Sequence, residues 1–210
     1  MTLERLVLWR HGETSYNLAG RIQGHLDTEL TEAGQEQARK AAPVVAEYAP
    51  DVLVCSDLRR AQDTAAALTE ITGLQPRLDK RLRETHLGEW QGLSGAEVEM
   101  GWPGAMLTWR QNPEWAPPGG ESRVEVSERA VEVVEELDQQ YSGTAQQSGP
   151  AVLCAHGGLI IGLTAKLLGL PHELWPSLGG VANCHWVVLI RRAGTGRKWV
   201  LNAYNAGVQS

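Results

Sequence analysis

Short apolar runs that alternate with helical patterns constrain the fold of this 210-residue chain more than any other feature. Strand-like runs lie at residues 6–9, 52–55, 151–155, 186–190 and 199–204. Helical patterns lie at residues 32–48, 60–72, 122–141 and 159–168. Strands that alternate with helices favour a largely parallel sheet with helices on both faces. We therefore expect an α/β fold, built as a three-layer α/β/α sandwich around a mostly parallel central sheet.

No internal repeat or interdomain linker divides the sequence, so residues 1–210 are predicted to form a single domain. The polar stretch 141–150 is too short to separate two domains. Residues 102–122 form an unusual segment rich in Trp, Pro and Gly. Long irregular segments often act as lids or substrate walls, which is our expectation here. A surface excursion held in place by its tryptophans is the equally open alternative.

Charge and cysteine content exclude several classes of protein. The formal net charge is -6, so no global basic field favours nucleic acid or a membrane surface. Three cysteines without a CxxC pair argue against a disulfide framework and a zinc knuckle, and favour a reducing compartment. The N-terminus does not resemble a signal peptide, and no apolar run reaches transmembrane length. We expect a cytoplasmic protein.

Charged and imidazole side chains follow three of the predicted strands at the points where those strands end. Arg10 and His11 close the first run, Arg60 follows the second, and His156 with Gly157 follows the third. In open α/β sheets, ligands bind at the carboxyl ends of the strands. One histidine at a strand end is usually a satisfied structural residue. The repetition at three strands of one sheet is a stronger indication of a binding site.

The chemistry of this cluster points to an anion. Histidines and arginines crowded together repel one another, and a bound phosphoryl group relieves that repulsion. Arginine offers planar paired donors to phosphate oxygens, and helix N-termini add backbone N–H groups. The glycines after each histidine allow the backbone to approach a ligand closely. Glu84 lies in a nearby loop rich in charge and glycine, and supplies a carboxylate.

Motifs along nearly the whole chain resemble those of a known family. "RHGETSYN" at 10–17 is similar to the signature of the histidine phosphatase superfamily, in the branch of the cofactor-dependent phosphoglycerate mutases. "LTEAGQEQA", "SDLRRAQDTA", "LRETHLGEWQG", "GGES" and "AHGG" follow in the family's order. "SDLRRAQDT", "RLRETHLGEWQGL", "WAPPGGESRVEV" and "WPSLGG" are closer still to the actinobacterial glucosyl-3-phosphoglycerate phosphatases. The resemblance implies a phosphoglycerate mutase-like fold.

The resemblance also implies roles for individual residues. His11 would be the nucleophile that forms a phosphohistidine, and Glu84 would donate a proton to the leaving group. The phosphoryl oxygens would be bound by His156 and by the residues Arg10, Arg60, Asn17, Gln23, Gly24 and Gly157. The family needs no metal or other cofactor, which agrees with the absence of metal-ligand spacing in the sequence. The expected partner is a small phosphorylated metabolite, and a homodimer is possible.

Other polar residues are weaker candidates. Structural hydrogen bonding is favoured for His25 and His86, and structural or surface positions for His172 and His185. Glu121 and Ser122 are expected to cap the following helix. Arg21 or Arg123 is a candidate for binding a carboxylate of the leaving group.

Two other functions compete with a phosphatase. The family's mutases carry HGN at the second histidine and a longer insertion, whereas this chain has Gly158 at that place and a short stretch between Glu84 and His156. A more open site favours hydrolysis over transfer. A non-catalytic module that binds phosphate esters is the second alternative. The presence of both His11 and Glu84 argues against it.

Overall fold

A computed structural model describes residues 3–142, 149–191 and 199–208, and the strands within them form one six-stranded sheet. These strands are β1 (Arg5–Arg10), β2 (Val52–Cys55), β3 (Arg77–Leu78), β4 (Ala151–Ala155), β5 (Trp186–Arg191) and β6 (Trp199–Ala206). Their order is β3-β2-β4-β1-β5-β6. Strands β3, β2, β4 and β1 are parallel, while β5 pairs antiparallel with both β1 and β6. The predicted mostly parallel sheet is confirmed.

Seven α-helices lie within the described residues. They are α1 (Ser15–Leu18), α2 (Glu32–Ala46), α3 (Arg59–Thr72), α4 (Gly95–Gly101), α5 (Ala105–Gln111), α6 (Arg123–Ser142) and α7 (Gly157–Leu167). Helix α2 begins after Thr31, whose hydroxyl accepts the N–H of Gly34. Helix α3 ends at Gly73, whose φ of 74° suits a residue without a Cβ atom.

The two faces of the sheet are covered by different helices. On one face, Leu6 and Leu8 of β1 pack with buried residues of α6 and α7, among them Val133 and Leu163. On the other face, strand residues such as Trp9 pack with the alanine-rich sides of α2 and α3. Neighbouring strand residues point to opposite faces, so the four buried residues 6–9 of β1 supply both cores. The chain therefore forms the predicted three-layer α/β/α sandwich.

Several short elements were not predicted from the sequence. Strand β3 has two residues and α1 has four, which is too short for a hydrophobic period to show. Helix α5 lies inside the 102–122 segment, so that segment is not wholly irregular. Helix α7 begins at Gly157 rather than at 159, because both glycines join its first turn. Residues 143–148 of the polar stretch 141–150 lie outside the described residues.

None of the helices in the described parts of the chain is both long enough and apolar enough to span a membrane.

Candidate active site

The carboxyl ends of two adjacent parallel strands bring the two histidines together. His11 follows β1 and His156 follows β4, and the register pairs Arg10 with Ala155. The backbone N–H of His11 donates to the Ala155 carbonyl at 3.0 Å, which carries the pairing one residue past the strand. The imidazole centroids lie 5.1 Å apart. The sheet itself therefore fixes the spacing of the two rings.

His11 is held in one tautomer and kept neutral. Its side chain is buried, and Nδ1 lies 2.7 Å from the carbonyl oxygen of Gly12. A carbonyl can only accept a hydrogen bond, so Nδ1 carries the hydrogen and Nε2 carries the lone pair. Burial, and then the charges of Arg60 and Arg10, place the pKa of His11 well below its usual value. This is the state that a nucleophilic imidazole needs.

The loop that holds His11 leaves no room for a side chain at Gly12. A Cβ atom there would lie 2.5 Å from the carbonyl oxygen of Gly34, at the start of α2. The N–H of Gly12 donates to Thr64 Oγ1 on α3 at 3.0 Å. Both helices of one layer thus anchor the residue that orients the imidazole.

His156 is also buried and neutral, and one of its ring nitrogens contacts Ser56. Nε2 of His156 lies 2.8 Å from Ser56 Oγ, and that oxygen already accepts the N–H of Leu58 at 3.3 Å. A hydroxyl can donate its proton to Nε2, and in that arrangement the ring hydrogen lies on Nδ1. Nδ1 is buried without a hydrogen-bond partner. Burial, then the charge of Arg60, lowers the pKa of His156 well below its usual value.

Two arginines supply positive charge that is not paired with a carboxylate at salt-bridge distance within the described residues. Arg60 is fully buried, and donates to the carbonyls of Leu26 and Gly24 at 2.8 Å each. Arg10 donates to the carbonyl of Val181 at 2.6 Å. The Nε atom of each is buried without a partner. Burial lowers the pKa of Arg60 to about 10 and lowers that of Arg10.

Glu84 lies at the N-terminus of α7. Its Oε1 accepts the backbone N–H of Leu159 at 3.0 Å and that of Thr85 at 2.9 Å. Its Oε2 accepts the N–H of Gly158 at 3.0 Å. The start of a helix carries unpaired N–H groups and partial positive charge, which attract an anion. The carboxylate therefore occupies part of the N-terminus of α7, whose first residue, Gly157, directly follows His156.

The remaining predicted phosphate ligands include Asn17 and Gln23, whose side chains both contact Thr14 in the loop after β1. Oδ1 of Asn17 accepts the N–H of Thr14 at 3.1 Å, in a capping box that starts α1. Oε1 of Gln23 accepts the hydroxyls of Thr14 and Thr28 at 3.0 and 2.6 Å. Both amide oxygens are thus engaged, which leaves the amide N–H groups as the donors toward a ligand. Gly24 contributes its carbonyl, which holds Arg60.

No group of three or more His, Cys, Asp or Glu side chains in the described residues is placed to hold a metal ion. The cluster has instead three buried nitrogen atoms without a partner, on Arg10, Arg60 and His156. Buried donors are almost always hydrogen bonded in native proteins. The oxygen atoms of an anion can accept hydrogen bonds from the Nε–H groups of Arg10 and Arg60.

Comparison with known proteins identifies the family. The model of the histidine phosphatase superfamily (branch 1) matches residues 6–206. The chain belongs to the histidine phosphatase superfamily. The family predicted from the motifs is thereby confirmed.

Relatives of this histidine phosphatase cover its full length. Glucosyl-3-phosphoglycerate phosphatase of Mycolicibacterium vanbaalenii is 50% identical over 100% of this chain and 97% of that protein. The protein of the same name from Mycobacterium tuberculosis is 49% identical over the same shares. A solved structure of a mycobacterial glucosyl-3-phosphoglycerate phosphatase with VO3 matches with a TM-score of 0.90. It is 50% identical, and the match covers 97% of this chain and 100% of that chain.

The four histidines that were weaker candidates for the site each have a structural partner. His25 Nε2 lies 2.7 Å from the Glu84 carbonyl, and His86 Nδ1 lies 3.1 Å from the Gly119 carbonyl. His172 pairs with Glu114, and Nδ1 of His185 lies 3.0 Å from the Asn205 carbonyl.

The helix-capping prediction was half right. Ser122 and Glu125 bond reciprocally at the start of α6, as a capping box does. Glu121 does not cap that helix. Its carboxylate binds Arg129 and the backbone N–H of His86 instead, because the chain before α6 folds back onto the Glu84 loop.

Sequence reasoning missed two residues that support the histidine phosphatase site. Ser56 follows β2 and contacts His156, and its position directly after a strand was the available signal. Arg129 lies on α6 and contacts the backbone of Glu84. A charged residue on an amphipathic helix gives no local signal of such a contact.

Proposed function

We propose that the protein hydrolyses phosphomonoesters through a phosphohistidine formed on His11. One observation carries this proposal. His11 is buried and neutral, with its Nδ1 hydrogen donated to the Gly12 carbonyl, and two arginines without a carboxylate at salt-bridge distance stand beside it. The lone pair on Nε2 makes the imidazole a nucleophile, and the arginines neutralise the charge of the attacked phosphate.

In the first step, Nε2 of His11 forms a bond to phosphorus while the bond from phosphorus to the ester oxygen breaks. Arg10, Arg60 and His156 bind the nonbridging oxygens, and the N–H of Gly157 adds a backbone donor. Asn17 and Gln23 complete the pocket from its rim. Positioning and electrostatic stabilisation are what phosphoryl transfer requires of a protein.

In the second step, a water molecule attacks the phosphohistidine. Glu84 takes the proton of that water, the bond between phosphorus and Nε2 breaks, and inorganic phosphate takes that proton from Glu84 and leaves as the monoanion. His11 regains its neutral state. Glu84 thus donates a proton to the leaving alkoxide in the first step and accepts one in the second.

The proton for the first step comes with the substrate. In the ligand-free site the Glu84 carboxylate only accepts hydrogen bonds, from three backbone N–H groups, which is the role of the ionised form. A phosphate monoester carries a second proton with a pKa of about 6. Binding of the monoanion brings that proton to the carboxylate, which passes it to the leaving oxygen.

The proposed substrate is glucosyl-3-phosphoglycerate or a related phosphoglycerate-type ester. The proteins at 49–50% identity carry this substrate in their names. Arg123 is the better of the two candidates for the substrate's carboxylate. Arg21 is already paired with Glu97, whereas the Arg123 guanidinium stacks 4.8 Å from the Trp109 ring and has no carboxylate at salt-bridge distance in the described residues.

The 102–122 segment is proposed as a wall of the leaving-group pocket. Three of its tryptophans, Trp102, Trp109 and Trp115, surround Trp90 with ring centroids 5.5–6.4 Å away. Its end packs directly on the Glu84 loop, since the N–H of Glu121 donates to the His86 carbonyl at 2.7 Å. Aromatic faces suit the nonpolar face of a sugar ring.

A mutase is the competing function within the family. At the place of the mutases' asparagine this chain has Gly158, and a Cβ atom there would lie 2.7 Å from Glu84 Oε1. The space that an asparagine would fill belongs here to the catalytic carboxylate, which favours hydrolysis. Cytoplasmic location, a single domain over 1–210 and a homodimer stay predictions.

Phosphate release from a panel of esters tests the proposal. The panel contains glucosyl-3-phosphoglycerate, 3-phosphoglycerate and p-nitrophenyl phosphate, each with a chelator present. We expect a strong preference for the glucosylated ester, loss of all release in His11→Ala, and unchanged release in His172→Ala, the matched control at an exposed histidine. Equal weak turnover of all esters would remove the substrate assignment. Interconversion of phosphoglycerates without release would identify a mutase, and binding without turnover a non-catalytic module.

A further inference from the structure

Arg129 on α6 makes an unusually complete set of hydrogen bonds to the loop that carries Glu84. Its NH1 donates to the carbonyls of Arg81 and Arg83 at 2.6 and 2.8 Å. Its NH2 donates to the carbonyl of Glu84 at 2.8 Å and to Glu121 Oε2 at 2.9 Å. Its Nε donates to Glu121 Oε1 at 2.9 Å. All five N–H groups of the guanidinium are therefore used.

Glu121 ties a second point of the same loop to this guanidinium. Its Oε2 accepts the backbone N–H of His86 at 2.8 Å, and its own N–H donates to the His86 carbonyl. The ion pair between Arg129 and Glu121 thus bonds to the backbone of residues 81–86 at four positions, which are 81, 83, 84 and 86. His25 Nε2 also donates to the Glu84 carbonyl at 2.7 Å, so two donors converge on that oxygen.

The anchor of this arrangement is rigid. Helix α6 carries buried apolar residues on both sides of Arg129 in sequence, among them Val126, Ala130 and Val133. These residues pack into the core that α6 shares with α7 and the sheet. The Glu84 carboxylate also bonds to the start of α7. The same core therefore holds both the backbone and the carboxylate of Glu84 in place.

We propose that Arg129 is a positioning residue, which sets the reach of the Glu84 carboxyl toward the leaving oxygen. This inference rests on the proposed function. The planar fork of arginine spans a carboxylate and three carbonyls at once, and a lysine ammonium, with three donors on one nitrogen, does not replace it. Loss of the fork lets the Glu84 backbone drift, and a displacement of about 1 Å at a catalytic group can cost about 100-fold in rate.

The leaving group separates this role from a purely structural one. An alkyl ester such as glucosyl-3-phosphoglycerate expels an alkoxide that needs a proton, while p-nitrophenyl phosphate expels a stable phenolate that does not. The ratio of kcat/KM for the alkyl ester to that for the aryl ester thus measures proton donation. Because kcat/KM reports the steps up to the phosphohistidine, the later hydrolysis step does not enter. Glu84→Gln sets the ratio expected when the proton donor is absent.

We expect Arg129→Lys to lower kcat/KM for the alkyl ester by about 10-fold or more, and that for the aryl ester by less than about 3-fold. Inhibition by inorganic phosphate should stay unchanged, because the phosphate ligands are untouched. Glu121→Gln should shift the ratio in the same direction by less. Arg81→Lys is the matched control: its side chain pairs with Asp79 and Glu136 at 2.7 Å, away from the Glu84 carbonyl. We expect the wild-type ratio there.

A folded Arg129→Lys with the wild-type ratio would overturn the inference. If that variant does not fold, Glu121→Gln decides, and an unchanged ratio in it has the same meaning. A failure of the proposed function looks different, because the wild type would then hydrolyse neither ester, or Glu84→Gln would leave the ratio unchanged.

Discussion

Gly158→Ala is the substitution whose effect the structure defines best. The added Cβ atom would lie 2.7 Å from Glu84 Oε1 and 3.1 Å from Thr85 Oγ1, whereas ordinary contact begins at 3.4 Å. Thr85 is buried, so the Glu84 carboxylate has to retreat, by about 0.7 Å. Its bonds to Gly158 and Leu159, both at 3.0 Å, then stretch beyond normal hydrogen-bond length.

Gly158→Ala should change both the free energy of unfolding and the rate of the reaction. Weakened hydrogen bonds to a charged group cost about 1.5–3 kcal/mol. Alanine in place of glycine within a helix returns up to about 1 kcal/mol. The free energy of unfolding should therefore fall by about 0.5–3 kcal/mol, which lowers the melting temperature by about 1–12 °C. The displaced carboxyl should lower kcat/KM for an alkyl phosphate by about 10- to 100-fold.

Steady-state phosphate release and thermal unfolding of the same preparations measure both effects. Gly101→Ala is the control, since it also lies in a helix and its added Cβ atom would meet no atom within 4 Å. We expect wild-type activity and an equal or higher melting temperature there. Wild-type activity in Gly158→Ala would refute the reasoning, because the placement of Glu84 on α7 would then have no part in catalysis.

Three further predictions follow from the buried charges. Burial and the charges of Arg60 and Arg10 keep His11 neutral below pH 6.5, so a kcat/KM profile from about pH 5 to 8 should show no loss of activity on the acid side near 6.5. The unfolded chain takes up protons on His11 and His156 below pH 6.5 while the folded chain does not. Stability should therefore be complete above 6.5 and fall below it by up to about 1.4 kcal/mol per pH unit for each histidine. Urea unfolding at several pH values measures this dependence. In His156→Gln the free energy of unfolding should fall less steeply with decreasing pH than in the wild type, because one histidine is missing. The same pH dependence in this variant as in the wild type would contradict a neutral buried His156. Inorganic phosphate at 100 times its Kd should stabilise the wild type by about 2.7 kcal/mol. Arg60→Met should lose that stabilisation, and Arg59→Met, at an exposed arginine, should keep it.

The sequence predicts the strand-end residues well, for a physical reason. Runs such as 151–155 are continuous and apolar because the strand is buried on both faces of the sheet. The polar residue that ends each run can therefore be recognised in the sequence. His11 and His156 were found in this way, and the structure places their rings 5.1 Å apart. Neither position depends on how side chains of distant segments meet.

Contacts between distant segments are what the sequence does not reveal. Arg129 looks like a solvated residue of an amphipathic helix, and its bonds to the Glu84 loop depend on how α6 packs. Glu121 was expected to cap α6, because it stands just before that helix, while the folded chain places it on Arg129. Helix α5 was hidden by a Trp- and Pro-rich composition, since tertiary packing around Trp90 outweighs weak local preference there.

Trapping of the phosphorylated protein tests the central claim most directly. The wild type is mixed rapidly with substrate labelled in its phosphoryl group, quenched in alkali and mapped by peptide mass spectrometry. We expect a transient label of up to one per chain on His11, stable to base and labile to acid, and absent from His11→Ala. A label on another residue, or turnover without any labelled protein, would contradict His11 as the nucleophile.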